Sequence, residues 1–434
     1  MEATQGSDSF LKLRGFMLSR FLSTVSIKTK KTRVSAFCQA TGLVIAAYFS
    51  LGVLQASAGA APIRFASFNA YLNREAQGQL LADLATPDHP QVKAVAEIIQ
   101  RVNPDVLLLL EFDYDPTGEA VRRFQENYLA IGHNGAAPIR FPHVYLAPSN
   151  TGIPSGFDLD NDGQISTTPG TRTYGGDAFG FGLFPGQYGM VLLSKYPIVL
   201  DQVRTFQMFL WRDMPSALLP SNPATPTEGD WYSPEELAVF RLSSKNHWDV
   251  PIQIGDRTIH VLASHPTPPV FDGPEDRNGR RNHDELRLWA DYITPSRADY
   301  LYDDRRQRGG LSDRAAFVIM GDLNADPIDG DGIPGAIAQL LNHPRVNADL
   351  TPSSAGGQAI AAASTATGPT RFHTASFGRQ SLRLDYVLPS TDFTVVGAGI
   401  FWPPPGDPLF RLVGDGEPII SSDHRLVWVD LQIE

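Results

Sequence analysis

Cysteine is nearly absent from this 434-residue chain: Cys38 is the only one. A disulfide framework, a cysteine-held zinc and thiol catalysis are thereby excluded from everything downstream of it. Long apolar runs are also missing beyond Ala61, so no later stretch is expected to cross a bilayer. Basic residues are scarce, with 36 Lys and Arg against 47 Asp and Glu. The first 60 residues hold seven bases and two acids, so the remainder carries 29 bases against 45 acids, a net of −16. Such a surface repels nucleic acid and anionic lipid at long range, which argues against a nucleic-acid coat protein. Apolar residues make up 42% of the chain, which is ordinary for a globular protein and excludes disorder and fibre.

What is present begins with an address. Lys28–Arg33 is basic, Gly42–Leu54 is mostly apolar, and Ala56-Ser57-Ala58 and Ala58-Gly59-Ala60 offer small-residue cleavage sites. Residues 1–60 therefore read as a signal segment, with Met17 an alternative start and an uncleaved anchor helix the competing reading. Cys38 precedes the apolar run and is badly placed for lipid attachment. The expectation is a secreted or periplasmic protein with no stable membrane association after cleavage.

Strands and helices then interleave. Apolar runs short enough for strands lie at Ile63–Phe68, Val106–Leu110, Met190–Leu193, Thr258–Ala263, Phe317–Met320, Leu384–Leu388, Phe393–Val396 and Leu426–Leu431. Helical spacing marks Gln91–Arg101 (Val92, Val95, Ala96, Ile99), and helices are also expected at Asp284–Ile293 and Gly335–Leu341. The class is α/β. Ala355–Thr367, small and polar, reads as a surface loop.

The ends of the strands carry the chemistry. Asn69, Glu111 and His265 each follow a strand, as do Asp322 and Asn324; Asp385 opens one, and Asp423-His424 precedes the last. Taken singly, each is an ordinary turn residue or strand-end hydrogen bonder. Crowded together along one sheet edge, they would be costly unless a divalent cation and a phosphate satisfied them.

In sequence, Ser67-Phe68-Asn69, Leu110-Glu111, Ser264-His265, Gly321-Asp322-Leu323-Asn324, Leu384-Asp385-Tyr386 and Ser422-Asp423-His424 resemble the motifs of the endonuclease/exonuclease/phosphatase family. The resemblance runs from about residue 62 to the C-terminus, as one domain with long insertions. It implies a four-layer α/β/β/α sandwich of two packed mixed sheets flanked by helices. It also implies Glu111 as principal metal ligand with Asn69 and Asp423 beside it, holding Mg²⁺, with Mn²⁺ as substitute. Asp322 and Asn324 are implied to position water and phosphate or to hold a second metal. The resemblance further implies His424 as general base or phosphoryl stabiliser, Asp385 as its orienting partner, and His265 as donor to a phosphate oxygen.

Two positions depart from the family's nucleases. Gly186 stands where an acidic residue precedes Gln187-Tyr188, so His265 lacks its expected carboxylate partner. Asp113 stands where an Arg two residues past the metal-binding Glu holds a backbone phosphate. Both disfavour DNA. Arg277, Arg280, Arg281 and His283 form a basic cluster that reads either as an anion contact or as a surface loop paired with Asp272, Glu275, Asp276 and Asp284. Asp158, Asp160, Asp162 and Gly163 match the first half of a calcium loop, but Pro169 occupies position twelve. The alternatives are a shortened structural Ca²⁺ loop closed by Asp177 and a plain acidic turn. Asp326, Asp329 and Asp331 form a similar acidic turn.

The expected function is that of an exported Mg²⁺-dependent phosphoesterase acting on a small phosphodiester or phosphomonoester. Its rivals are an extracellular nuclease of the same family and a catalytically inactive binding protein on the same scaffold.

Overall fold

A computed structural model of the chain describes residues 61–433. The expected signal segment, its expected cleavage sites and Cys38 lie outside the described residues. The strands are β1 (Ile63–Leu72), β2 (Val106–Phe112), β3 (His143–Tyr145), β4 (Met190–Ser194), β5 (Arg204–Thr205), β6 (His247–Ile254), β7 (Arg257–Ser264), β8 (Ala316–Asp322), β9 (Ala375–Phe377), β10 (Gln380–Leu382), β11 (Asp385–Pro389), β12 (Thr394–Ile400) and β13 (Val427–Gln432). One mixed sheet runs β12-β13-β1-β2-β4-β3, a second runs β11-β8-β7-β6-β5, and β9 and β10 form a separate hairpin.

Side-chain alternation sorts the apolar residues into three cores, which define four layers. Leu107 and Leu109 of β2 face outward onto helix α1 (Pro90–Val102), through Val92, Val95, Ala96 and Ile99. Val106, Leu108 and Leu110 face the second sheet, meeting a core that includes Val250, Val261, Val318 and Val387. Leu262, Phe317, Ile319 and Leu388 face outward from the second sheet onto helix α2 (Arg277–Tyr292), through Leu286, Trp289 and Ala290. The central strands are covered on both faces, which is why β2 reads as an unbroken apolar run. The architecture is the α/β/β/α sandwich.

Several elements differ from the expectation. Helix α2 begins at Arg277 rather than Asp284, because its first two turns are charged and carry no apolar periodicity. Strand β6 escaped the apolar-run reading because Asp249, Pro251 and Gln253 interrupt it, yet it pairs with β7 along its full length. The helix expected over Gly335–Leu341 shrinks to Ala338–Leu341. Ala355–Thr367 is not loop throughout: Ser354 caps a short helix, Ala355–Ala359. A Cβ at Gly356 would lie 2.4 Å from the Trp402 ring, so glycine lets that turn pack closely. Among the described residues, no helix is long and apolar enough to cross a membrane.

Candidate active site

The layer between the sheets determines where the polar strand ends converge. On β1, Phe65 faces the inter-sheet core, and Asn69 shares its parity. Val318 and Met320 place Asp322 on the same side, Val261 and Ala263 do so for His265, and Val387 does so for Asp385. β7 and β8 are parallel, so His265 and Asp322 leave at the same end; β11 is antiparallel, with Asp385 directly opposite Asp322. β13 runs antiparallel to β1, which brings Asp423 and His424 back to Asn69. The result is one polar cluster at one end of the inter-sheet layer.

Its geometry is tight. His424 Nδ1 lies 2.8 Å from Asp385 Oδ2, and its Nε2 lies 3.7 Å from Asp322 Oδ2. His265 Nε2 lies 3.5 Å from the same Asp322 oxygen, to which Asn69 Nδ2 donates at 3.1 Å. Asp322 Oδ1 accepts the Asn324 backbone N–H at 3.0 Å, and Asn324 Nδ2 donates to the Pro266 carbonyl at 3.1 Å. Glu111 Oε2 accepts from Asn73 Nδ2 at 2.7 Å. The Ser422 hydroxyl donates to the Asn69 carbonyl at 2.7 Å and accepts the His424 N–H at 3.0 Å, clamping the Ser-Asp-His turn to β1. Phe377, on the β9–β10 hairpin, sets its ring edge-on to His424 at 5.9 Å.

Four left-handed non-glycine residues lie in and around the site. Tyr71, Glu111, Tyr188 and Asn324 all hold positive φ, between 50° and 58°. For a non-glycine residue this costs of order 1–3 kcal/mol, and it persists where surrounding contacts over-determine it. At Glu111 it shifts the alternation of β2, so that Leu109 and Phe112 both pack on the outer core and Glu111 leaves the regular pleat.

The cluster is short of positive charge. Burial, with Asp423 adding repulsion, pushes Glu111 up to about 7. Burial and Asp385 push Asp322 up to about 6, against the pull of His424. Burial disfavours the His424 cation, but Asp385 and Asp322 outweigh it and hold the imidazole well above its usual range. His265 goes the opposite way: burial first, then Lys245 and His424, hold it well below. The pKa values of the two imidazoles are thus driven in opposite directions within one site. Asp385 Oδ1 and His265 Nδ1 are buried without a hydrogen-bond partner. Gly186 holds a φ of +90°, and a Cβ there would lie 3.0 Å from Tyr114, so the position requires glycine.

Carboxylates at Glu111, Asp322 and Asp423 with the Asn69 amide make a hard, oxygen-rich donor set that fits a divalent cation, and the raised pKa values of Glu111 and Asp322 accord with it. The only three ligand atoms within 4.8 Å of one another at this end, among the described residues, belong to Asp322, Asp385 and His424. Glu111 and Asp423 sit outside that triplet, coupled to it through charge.

Other expected residues fall elsewhere. Arg281 is a correction: its guanidinium is buried and donates to the carbonyls of Leu242, Phe179 and Arg241, so it staples the insertion loops and has no face for substrate. Arg277 pairs with Glu275, and Arg280 Nε is buried without a partner. Asp113 is buried, accepting the Arg74 and Tyr188 N–H groups, and burial pushes it up to about 7. In the acidic loop, Asp158, Asp160 and Asp177 bring oxygens within 4.8 Å of one another, whereas Asp162 turns away to accept the Gln164 N–H. Two buried cations went unread in the sequence. Arg425 stacks on Trp402 and donates to the Ser422 and His424 carbonyls. Lys245 sits at the end of β6 nearest His265, within the polar run Ser243-Ser244-Lys245-Asn246-His247, all of it buried. Five polar residues in a row ahead of a strand were the available signal.

The fold and the site define a sandwich hydrolase scaffold with an acid–imidazole centre. The endonuclease/exonuclease/phosphatase family model matches residues 66–424, and the chain belongs to that family. A search of curated proteins finds no match. Among solved structures, the chain is similar to an endonuclease/exonuclease/phosphatase from Beutenbergia cavernae, at 17% identity over 86% of this chain and 72% of that one, TM-score 0.46. It is also similar to a family protein from Leptotrichia buccalis, at 12% identity over 86% of this chain and 100% of that one, TM-score 0.40. A third is beta toxin from Staphylococcus aureus, at 15% identity over 85% of this chain and 99% of that one, TM-score 0.42.

Proposed function

We propose that this protein is an exported, metal-dependent phosphoesterase that hydrolyses the P–O bond of a small phosphodiester or phosphomonoester by in-line attack of water. The observation that carries the reading is the pairing of His424 with Asp385 at 2.8 Å beside Asp322, in a cluster where burial raises the Glu111 and Asp322 carboxylates despite the pull of His424. Glu111, with Asn69 and Asp423, would hold Mg²⁺ or Mn²⁺, which supplies Lewis-acid stabilisation of charge on the phosphoryl oxygens. Asp322 and Asn324 align the attacking water. Asp385 fixes the tautomer and direction of His424, whose Nε2 faces the reacting group and stabilises or exchanges a proton with it. His265, kept neutral, donates one hydrogen bond to a phosphoryl oxygen.

Small substrates are favoured over polymers. The −16 balance beyond residue 60 repels a polyanion. Asp113 occupies the position of a backbone-phosphate cation and is committed to two main-chain N–H groups. With the metal concentration held constant, kcat/KM is expected to be higher for small phosphoesters than for single- or double-stranded DNA at physiological salt. Side-by-side kinetics check this, and efficient DNA digestion without small-ester turnover would make the nuclease reading the better one. For export, N-terminal sequencing of secreted or periplasmic protein is expected to begin near Gly59 or Ala61. An intact N-terminus in the membrane fraction would establish an anchor instead.

A further inference from the structure

Lys245 is 7% exposed, and its ammonium has one hydrogen bond, 3.4 Å to the Pro266 carbonyl. An ammonium offers three donors and is costly to bury without an anion. Lys245 makes no ion pair with any described carboxylate. Glu285, the nearest candidate by charge, is already satisfied by neutral donors: Ser244 N at 2.7 Å, Ser244 Oγ at 3.0 Å and Thr267 N at 2.6 Å. The Pro266 carbonyl that Lys245 reaches also accepts from Asn324 Nδ2, and Pro266 directly follows His265. The ammonium therefore lies on the His265–Asn324 side of the cluster, within the electrostatic reach of Glu111 and Asp322. It stands with two donors unused where the other side chains are mostly acids and amides.

We propose that Lys245 is a phosphate-binding residue that donates to a nonbridging oxygen of the phosphoryl group beside His265 and Asn324. The assignment rests on the phosphoesterase reading above and adds to it a buried lysine ahead of β6, whose charged form burial disfavours and a bound phosphate would favour.

The test uses the metal-loaded full chain and inorganic phosphate as the probe, with bis-p-nitrophenyl phosphate and p-nitrophenyl phosphate as substrates. Lys245→Met is expected to weaken phosphate binding by calorimetry about 10- to 100-fold, the usual worth of a charge-assisted hydrogen bond. KM should rise in parallel, and Lys245→Arg should recover most of the loss. Thermal stability of Lys245→Met should equal or exceed that of the wild type, because an apolar group replaces an unpaired buried charge. A large drop in Tm with phosphate affinity retained would show that Lys245 serves only to balance Glu285, and would overturn the proposal. Should Lys245→Met fail to fold, Lys245→Gln takes its place. Phosphate must also raise the Tm of the wild type, and no shift overturns the proposal. A wild type that binds phosphate yet cleaves neither ester counts against the phosphoesterase reading and leaves the Lys245 contact standing.

Discussion

Replacing His424 by alanine is expected to lower kcat by about 10²- to 10⁴-fold, the range for losing a positioned acid–base group. The imidazole lies between two carboxylates: Nδ1 is 2.8 Å from Asp385, and Nε2 is 3.7 Å from Asp322. Its removal takes away the imidazole that lies 3.7 Å from Asp322, whereas the surrounding turn stays anchored by Ser422 on the Asn69 carbonyl. Unfolding should therefore remain cooperative, with kcat falling far more than KM rises. Asp385→Asn should give a smaller loss, since the amide keeps a contact to Nδ1 while removing the charge that favours the imidazolium. Steady-state kinetics on one small phosphoester, with melting curves for each variant, check both. Wild-type kcat in His424→Ala would remove the residue from the mechanism.

Exhaustive chelation should abolish turnover, and Mg²⁺ or Mn²⁺ should restore it. Glu111 and Asp322 are raised to about 7 and about 6 by burial and by neighbouring carboxylates, so at neutral pH the site holds back from full ionisation. A divalent cation reverses that balance by favouring the ionised forms, and its binding free energy is added to folding stability. The metal-free protein should consequently melt earlier, and adding Mg²⁺ at about 100 times its Kd should contribute roughly 2.7 kcal/mol. Glu111→Gln should lose both the activity and most of the metal-dependent shift in Tm. Full activity after chelation would be incompatible with the proposed mechanism, whatever the melting curves show.

The sequence alone determined which strands end in chemistry. Apolar runs such as Val106–Leu110 and Phe317–Met320 are short and unbroken because both faces are buried, so the polar residue that stops each run is conspicuous. Period-two alternation carries the rest, since Asn69, Asp322 and Asp385 keep the parity of their inter-sheet neighbours without any knowledge of pairing. Pairing itself was not legible. Only the antiparallel register of β11 with β8 puts Asp385 opposite Asp322, and only the return of β13 along β1 brings His424 across more than 350 residues to Asn69. The left-handed backbone at Glu111 leaves no trace in a residue type that seldom adopts it. Charged side chains were the least legible, because exposure rather than composition decides their role. Arg281 read as either an anion contact or part of an acid-paired surface loop, and instead holds three carbonyls beneath the surface. Lys245 went unread in the sequence, yet it lies buried beside the site. A lone residue carries its charge with it, but the folded chain decides whether water, a carbonyl or a substrate oxygen answers that charge.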